Sequence, residues 1–196
     1  MKLLSRIIAV FVLVLFTACQ NETYTPKPRG FYRISVKDTV YQQFTDAAPF
    51  SFEYSAYAFV DTIHKPNEKY WLNLVYPQQN AVVFITYKSL IHNKLDSCIN
   101  DARTLVFKQI NKADDIQIST IFDTANAVYG TIYEILGNDA ACPYQFWITD
   151  KKNHFFRASL YFNCTPQNDS LAPLIDYIKK DMLHLVETFA WDEKIK

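Results

Sequence analysis

Short segments rich in aromatic and β-branched residues recur along most of this chain, and they constrain its fold more than any other feature. Such residues favour strands, where their bulky side chains pack on a pleated surface. Turn signals such as Lys65-Pro66-Asn67 separate the segments. The pattern predicts strands at residues 31–36, 50–54, 56–63, 70–76, 81–87, 116–122, 127–136, 144–149 and 155–163.

Two segments change to the period of an α-helix. Between residues 93 and 110, apolar side chains recur every three or four positions and predict an amphipathic helix. A second helix is expected to follow Ser170, a favoured N-cap residue, with Pro173 in its first turn. Its apolar face is predicted to comprise Leu171, Leu174, Ile175, Ile178, Met182, Leu185, Val186 and Phe189.

The segment order of strands, helix, strands and helix predicts a single α+β domain over residues 31–196. We expect a mainly antiparallel sheet covered by two main helices. The 20 basic and 20 acidic residues balance, so the sequence lacks the basic footprint expected of a nucleic-acid-binding protein. With only three glycines, all scattered, it also lacks a nucleotide-binding loop.

The first 18 residues have the pattern of an export signal. Lys2 and Arg6 precede a continuous apolar run over residues 7–16, and the small residues Thr17 and Ala18 follow it. A ten-residue helix is about 15 Å long, roughly half the thickness of the hydrocarbon core, so this run is too short to span a bilayer. We therefore predict a cleaved signal peptide at residues 1–18.

Cys19 directly follows that signal, and the stretch Leu15-Phe16-Thr17-Ala18-Cys19 resembles a bacterial lipobox. In such a motif the cysteine thiol is acylated, and cleavage then makes the cysteine the first residue. We predict lipidation of Cys19, with residues 19–30 as a polar, proline-bearing tether. The alternative is an uncleaved anchor helix with an incidental cysteine.

Three further cysteines, Cys98, Cys142 and Cys164, leave at least one free thiol in an exported chain. Cys142 and Cys164 flank a predicted hairpin, so a disulfide between them is one hypothesis and two free thiols are the other. Cys98 lies on the apolar stripe of the first helix, which predicts a buried, unreactive thiol.

No catalytic or metal-binding set emerges from the remaining residues. The four histidines (His64, His92, His154 and His184) lie far apart, none with another histidine or cysteine at metal-ligand spacing. His184 and Glu187 are expected to be neighbours on one helix surface. The sequence therefore predicts no enzyme activity, no metal and no cofactor. The alternative is a hydrolase whose two carboxylates, or cysteine and histidine, are brought together only by folding.

Two surface features are hypotheses for binding or modification. Aromatic residues near the N-terminal edge either form a stacking surface for sugars or pack against the sheet, and we favour packing; they are Tyr24, Phe31, Tyr32, Tyr41 and Phe44. The triplet Asp-[Ser/Thr]-apolar occurs four times and resembles the O-glycosylation site of exported Bacteroidetes proteins. The competing explanation is that Asp or Ser in these triplets forms turns and helix starts, notably at Ser170. The predicted acceptors are Thr39, Thr62, Thr124 and Ser170.

The whole mature chain resembles the gliding motility lipoprotein GldD family of Bacteroidetes. The resemblance covers nearly all of residues 19–191, and its combination of motifs is specific although no single motif is. The motifs are PKPRGFYR at 26–33, PFSFEY at 49–54, WLNLVYP at 71–77, KAD at 112–114, VYGTIYE at 128–134, QFWITD at 145–150, SLYF at 159–162 and YIKKDM at 177–182. Cys142 and Cys164 are not associated with the family, so the disulfide hypothesis gains no support from it.

This resemblance implies a cell-envelope protein needed for gliding, acting without enzyme activity beside other lipoproteins of the gliding and type IX secretion machinery. It implies a membrane anchor through lipid such as palmitate, with a periplasm-facing domain favoured and the choice of inner or outer membrane left open. The PFSFEY opening and the terminal helix also resemble the Mog1/PsbP-type α/β/α sandwich. The alternative function is a lipoprotein that binds a small ligand or a glycan.

Overall fold

The computed structural model describes residues 40–63 and 70–192, and these ranges contain eleven strands and two α-helices. The strands are β1 (Tyr41–Gln43), β2 (Phe50–Ser51), β3 (Glu53–Ser55), β4 (Phe59–Ile63), β5 (Trp71–Tyr76), β6 (Ala81–Ser89), β7 (Asp115–Asp123), β8 (Val128–Leu136), β9 (Tyr144–Thr149), β10 (His154–Phe162) and β11 (Ala190–Trp191). The helices are α1 (Leu95–Phe107) and α2 (Asn168–Glu187). The predicted signal peptide, Cys19, the tether and the strand predicted at residues 31–36 lie outside the described residues.

Seven strands form one antiparallel sheet in the order β4-β5-β6-β10-β9-β8-β7. The chain builds β4, β5 and β6 as consecutive neighbours and then crosses through α1 to the opposite edge. It returns through β8 and β9, so that β10 fills the centre beside β6. The late strand β10 therefore joins the two parts of the sheet, β4–β6 and β7–β9.

One face of this sheet carries the main aromatic core. Alternation along the strands turns side chains such as Phe146 and Phe156 to this face. The helix α2 covers it through Ile178, Met182 and Leu185, which are buried in the same core. Two small antiparallel sheets add to this core: β1 pairs with β3, and β2 pairs with β11.

The other face is covered in part by α1. Cys98 and Ala102 pack near Phe155, whereas Val106 packs in a cluster with Tyr133. Helices thus lie on both faces of the sheet, which confirms the α+β class and the antiparallel sheet with two covering helices. The layers have the α/β/α order that the resemblance implied. The buried position of Cys98 is also confirmed.

The start of α2 differs from the prediction. The helix begins at Asn168 after Gln167, so Ser170 is not its N-cap and Pro173 lies inside the helix. The Asn168 side-chain amide donates to the carbonyl oxygens of Gly137 and Ala140, at 2.8 and 2.9 Å. These contacts with a distant loop fix the start of the helix in place of a local serine cap.

Candidate functional site

Among the side chains of the sheet whose exposure the structure describes, the most exposed apolar ones lie on the edge strand β7. Phe122 is 71% exposed and Ile118 is 58% exposed. Both point to the face that carries α1, since Phe122 pairs with Tyr129 and Ile118 pairs with Tyr133. The Lys151 ammonium lies 3.7 Å from the centroid of the Tyr129 ring, which is a cation–π contact beside Phe122.

Acidic residues stand at both ends of β7. The Asp123 carboxylate accepts hydrogen bonds from the backbone N–H of Ala125 and from both the backbone and the side chain of Asn126. These bonds lower the pKa of Asp123 and shape the turn into β8. Asp115 is exposed at the opposite end. Asp123 therefore has a turn-forming role, which is the competing explanation for the Asp123-Thr124-Ala125 triplet.

A partly buried polar cluster joins the first strands to α2. The Tyr41 hydroxyl donates to Asp181 Oδ1 at 3.3 Å, and the ring of Tyr41 stacks on His184 with centroids 3.5 Å apart. His184 Nε2 lies 2.7 Å from Glu53 Oε2. Folding thus brings Glu53 of β3 to His184, a contact that the sequence did not predict beside the helix neighbour Glu187. This cluster holds β1 and β3 against the helix.

Of the remaining histidines, one makes side-chain contacts in the fold and one is exposed. His154 Nδ1 lies 2.7 Å from the hydroxyl of Tyr87, and its ring stacks on Trp191. His92 is exposed, and His64 lies outside the described residues. Within residues 40–63 and 70–192, no group of three or more His, Cys, Asp or Glu side chains is arranged to hold a metal ion.

The three described cysteines are free thiols. Cys142 is buried and its thiol lies 3.6 Å from the carbonyl oxygen of Tyr144, whereas Cys164 is exposed. The β9–β10 ladder pairs Gln145 with Ser159, so Cys142 precedes that pair by three positions and Cys164 follows it by five. The two cysteines are out of register, and the structure does not contain the disulfide that the sequence allowed.

A second polar cluster lies on the sheet beside Cys142. The Arg157 guanidinium donates to Gln145 Oε1 at 2.7 Å and hydrogen-bonds the Tyr161 side chain. Tyr161 also contacts the Cys142 thiol, and burial raises the pKa of that thiol to about 12. Cys142 thus stays protonated and unreactive at neutral pH. This cluster was not predicted from the sequence, although an arginine within the apolar run HFFRASLYF was an available signal.

The predicted modification and surface residues occupy varied positions. Thr62, Thr124 and Ser170 are exposed, and Thr39 lies outside the described residues, so glycosylation stays a prediction at all four. Phe44 is buried in the aromatic core and Tyr41 stacks on His184, which favours packing over a sugar-stacking surface for these two. Tyr24, Phe31 and Tyr32 lie outside the described ranges.

Buried tyrosines make the domain sensitive to alkali. Burial raises the pKa of Tyr87 to about 12 and also raises the pKa of Tyr76 and Tyr144. Above pH 10 the unfolded chain loses tyrosine protons that the folded chain keeps, so the free energy of unfolding falls as pH rises. Between its unfolded pKa near 10 and its raised folded pKa, each such tyrosine contributes at most about 1.4 kcal/mol per pH unit. Urea unfolding between pH 8 and pH 11 measures this slope. Tyr144→Phe should make it shallower, and an unchanged slope would contradict the assignment.

The fold and these contacts define an α/β/α domain with an exposed edge strand and polar clusters that hold its elements together. The gliding motility lipoprotein GldD family model matches residues 21–191, and the chain belongs to that family. It is accordingly a gliding motility lipoprotein, as the resemblance implied. A comparison with curated proteins gives no significant match.

Among solved structures, the chain is similar to the solution structure of cyanobacterial PsbP from Synechocystis sp. PCC 6803. The two share 12% sequence identity with a TM-score of 0.45, over 80% of this chain and 95% of the PsbP chain. Within the described residues, no helix has both the length and the apolar character needed to cross a membrane.

Proposed function

We propose that this protein is a non-enzymatic, lipid-anchored component of the gliding and type IX secretion machinery of the cell envelope. In this proposal Cys19 carries the lipid, the domain faces the periplasm, and β7 binds an extended segment of another envelope protein. Membership of the gliding motility lipoprotein family supports the setting. The single observation that favours the binding mode is the exposed edge of β7.

An edge strand offers unpaired backbone N–H and C=O groups to an incoming strand. In the described part of the chain, β7 is the terminal strand of the sheet and has nine residues, Asp115–Asp123. It has no lysine or proline, the residues that usually protect an edge. The exposed side chains of Ile118 and Phe122 would add apolar contacts to the backbone hydrogen bonds.

Charge identifies the class of partner strand. If two copies paired antiparallel through β7, centred on Ser119, Asp115 of each copy would oppose Asp123 of the other. Like charges directly opposite one another destabilise a strand pair, so self-association through this edge is disfavoured. A partner segment with an apolar centre and lysine or arginine at its ends would instead complement both acidic residues.

The test is a double variant, Ile118→Lys with Phe122→Lys, expressed in cells of the source bacterium that lack the wild-type gene. We expect loss of gliding, because lysines on an edge strand oppose strand addition and repel a basic partner. The amount of the protein in the membrane fraction and its thermal unfolding temperature should stay close to those of the wild type, because both side chains are exposed.

The matched control is Phe59→Lys, which replaces an exposed phenylalanine on the opposite edge strand, β4. It should leave gliding intact. Normal gliding and protein secretion by the double variant would exclude β7 as the docking edge. Equal loss in both variants would show that the effect is not specific to β7.

A further inference from the structure

Arg157 is an unusual cation on the α1-bearing face of the sheet. Its side chain is half-buried at the centre of β10, and desolvation lowers its pKa. Its hydrogen-bond partners are uncharged, namely Gln145 and Tyr161. Among the ion pairs of the described residues, none joins Arg157 to a carboxylate. Buried charges are normally paired, so a counter-ion is expected beside this partly desolvated guanidinium, and none is present among the described residues.

Two neighbouring side chains are also incompletely satisfied. Gln145 is 2% exposed and Ser159 is 1% exposed, and the two residues pair directly in the β9–β10 ladder. Because Gln145 Oε1 accepts from Arg157, its Nε2 must be the donor end of the amide. Gln145 Nε2 and Ser159 Oγ both lack a hydrogen-bond partner among the described residues.

The Arg157 guanidinium and the two unsatisfied side-chain atoms share one chemical character. The guanidinium and the amide nitrogen can only donate, and the serine hydroxyl is able to donate. A buried donor without an acceptor destabilises a fold by about 1–3 kcal/mol, so native proteins seldom leave several together. A negatively charged acceptor would satisfy these donors and also compensate the charge of Arg157.

The surroundings suit such a ligand. Tyr161 and Arg157 are only half-buried, so the cluster extends from the protein interior to its surface. The nearby Cys142 thiol is protonated and brings no negative charge to the site. On β6, Phe84 pairs with Ser159 and is 41% exposed, so the face reaches solvent beside Ser159, whose Oγ is itself buried.

We propose that Arg157, Gln145 and Ser159 form a binding site for a small oxyanion, the carboxylate or phosphate group of a ligand. The Arg157 guanidinium supplies the charge, while Gln145 Nε2 and Ser159 Oγ donate to the ligand oxygens. This site goes beyond the docking role of β7, because it lies on β9 and β10 in the interior of the sheet. Each of the two roles can fail without the other.

The test is isothermal titration calorimetry on the full lipidated protein in a non-ionic detergent. The probes are sodium acetate and sodium phosphate, with sodium chloride at equal ionic strength as the reference. We expect saturable binding of at least one oxyanion above the chloride response. Tighter binding of acetate would identify a carboxylate ligand, and tighter binding of phosphate would identify a phosphate ligand.

Arg157→Met should weaken that binding at least about tenfold, the loss expected when a charged hydrogen-bond donor is removed. The matched control Arg103→Met, on the exposed surface of α1, should bind as the wild type does. If Arg157→Met does not fold, Gln145→Leu tests the same site and should also weaken binding about tenfold. The proposal would be overturned if neither acetate nor phosphate bound saturably. It would also be overturned if the site variants bound the oxyanion as tightly as the control variant does.

Discussion

Replacing Cys19 with serine should release the protein from the cell membrane and abolish gliding while the domain remains folded. Serine has no thiol to acylate, so the mature chain would lack its proposed lipid. Each buried methylene of an acyl chain contributes about 0.8 kcal/mol to membrane binding, and stable anchoring needs two chains or a second signal. Loss of all the chains should therefore remove essentially all of the anchoring energy. A released domain would no longer be concentrated beside its envelope partners.

Cell fractionation followed by immunoblotting measures the release, and colony spreading measures gliding. Cys164→Ser is the matched control, since it removes an exposed free thiol from the folded domain and leaves Cys19 in place. That control should stay in the membrane fraction and support gliding. If Cys19→Ser stayed in the membrane fraction, attachment would not depend on lipid at Cys19. A released variant that still supported gliding would show that membrane attachment is dispensable for function.

Most strands of the large sheet could be predicted because their side chains alternate between two covered faces. The bounds of β9, Tyr144–Thr149, agree with the prediction, and β10 differs from it by one residue at each end. The alternation of the sheet and the 3.6-residue period of the helices are local properties of the sequence. They also led to the prediction of a sheet covered by two helices, because amphipathic helices must bury their apolar faces against a sheet. The α/β/α layer order was implied only by the resemblance.

Features that depend on distant contacts could not be predicted in the same way. β1 and β11 have three and two residues, too few for a periodic pattern, and each exists through pairing with another short strand. The contact between His184 and Glu53 joins residues 131 positions apart. Helix geometry alone could predict only the helix neighbour Glu187, because a partner on a distant strand is not a local property of the sequence.

The binding features differ in how much the sequence reveals. The acidic ends of β7 are visible in the sequence, but its position at the sheet edge follows from the crossover through α1. Arg157 was detectable as a charge within an apolar strand. Its lack of a carboxylate partner was not, because that property depends on every neighbour in the folded domain. Gly130 illustrates the same limit: a Cβ there would lie 2.0 Å from the carbonyl oxygen of Trp147 on the next strand.

Phe156→Ala should strongly destabilise the domain. Phe156 is fully buried at the centre of the sheet, and its ring lies 5.0 Å from that of Phe189 and 5.2 Å from that of Phe50, centroid to centroid. These partners belong to β2 and to the segment after α2, so one side chain joins three parts of the fold. Truncating a buried phenylalanine costs about 3–5 kcal/mol through lost burial and the cavity left behind.

Total stabilities of natural domains are about 5–15 kcal/mol, so this loss would remove a large fraction of the free energy of unfolding. Urea unfolding followed by circular dichroism measures it, and the midpoint should fall with little change in the slope. Phe84→Ala is the matched control, because Phe84 lies on the adjacent strand β6 but points to the other face and is partly exposed. The control should lose about 1 kcal/mol or less, since little apolar area leaves the protein interior. Equal losses in the two variants would contradict the assignment of Phe156 to the centre of the core, because only a buried ring leaves a cavity when it is removed.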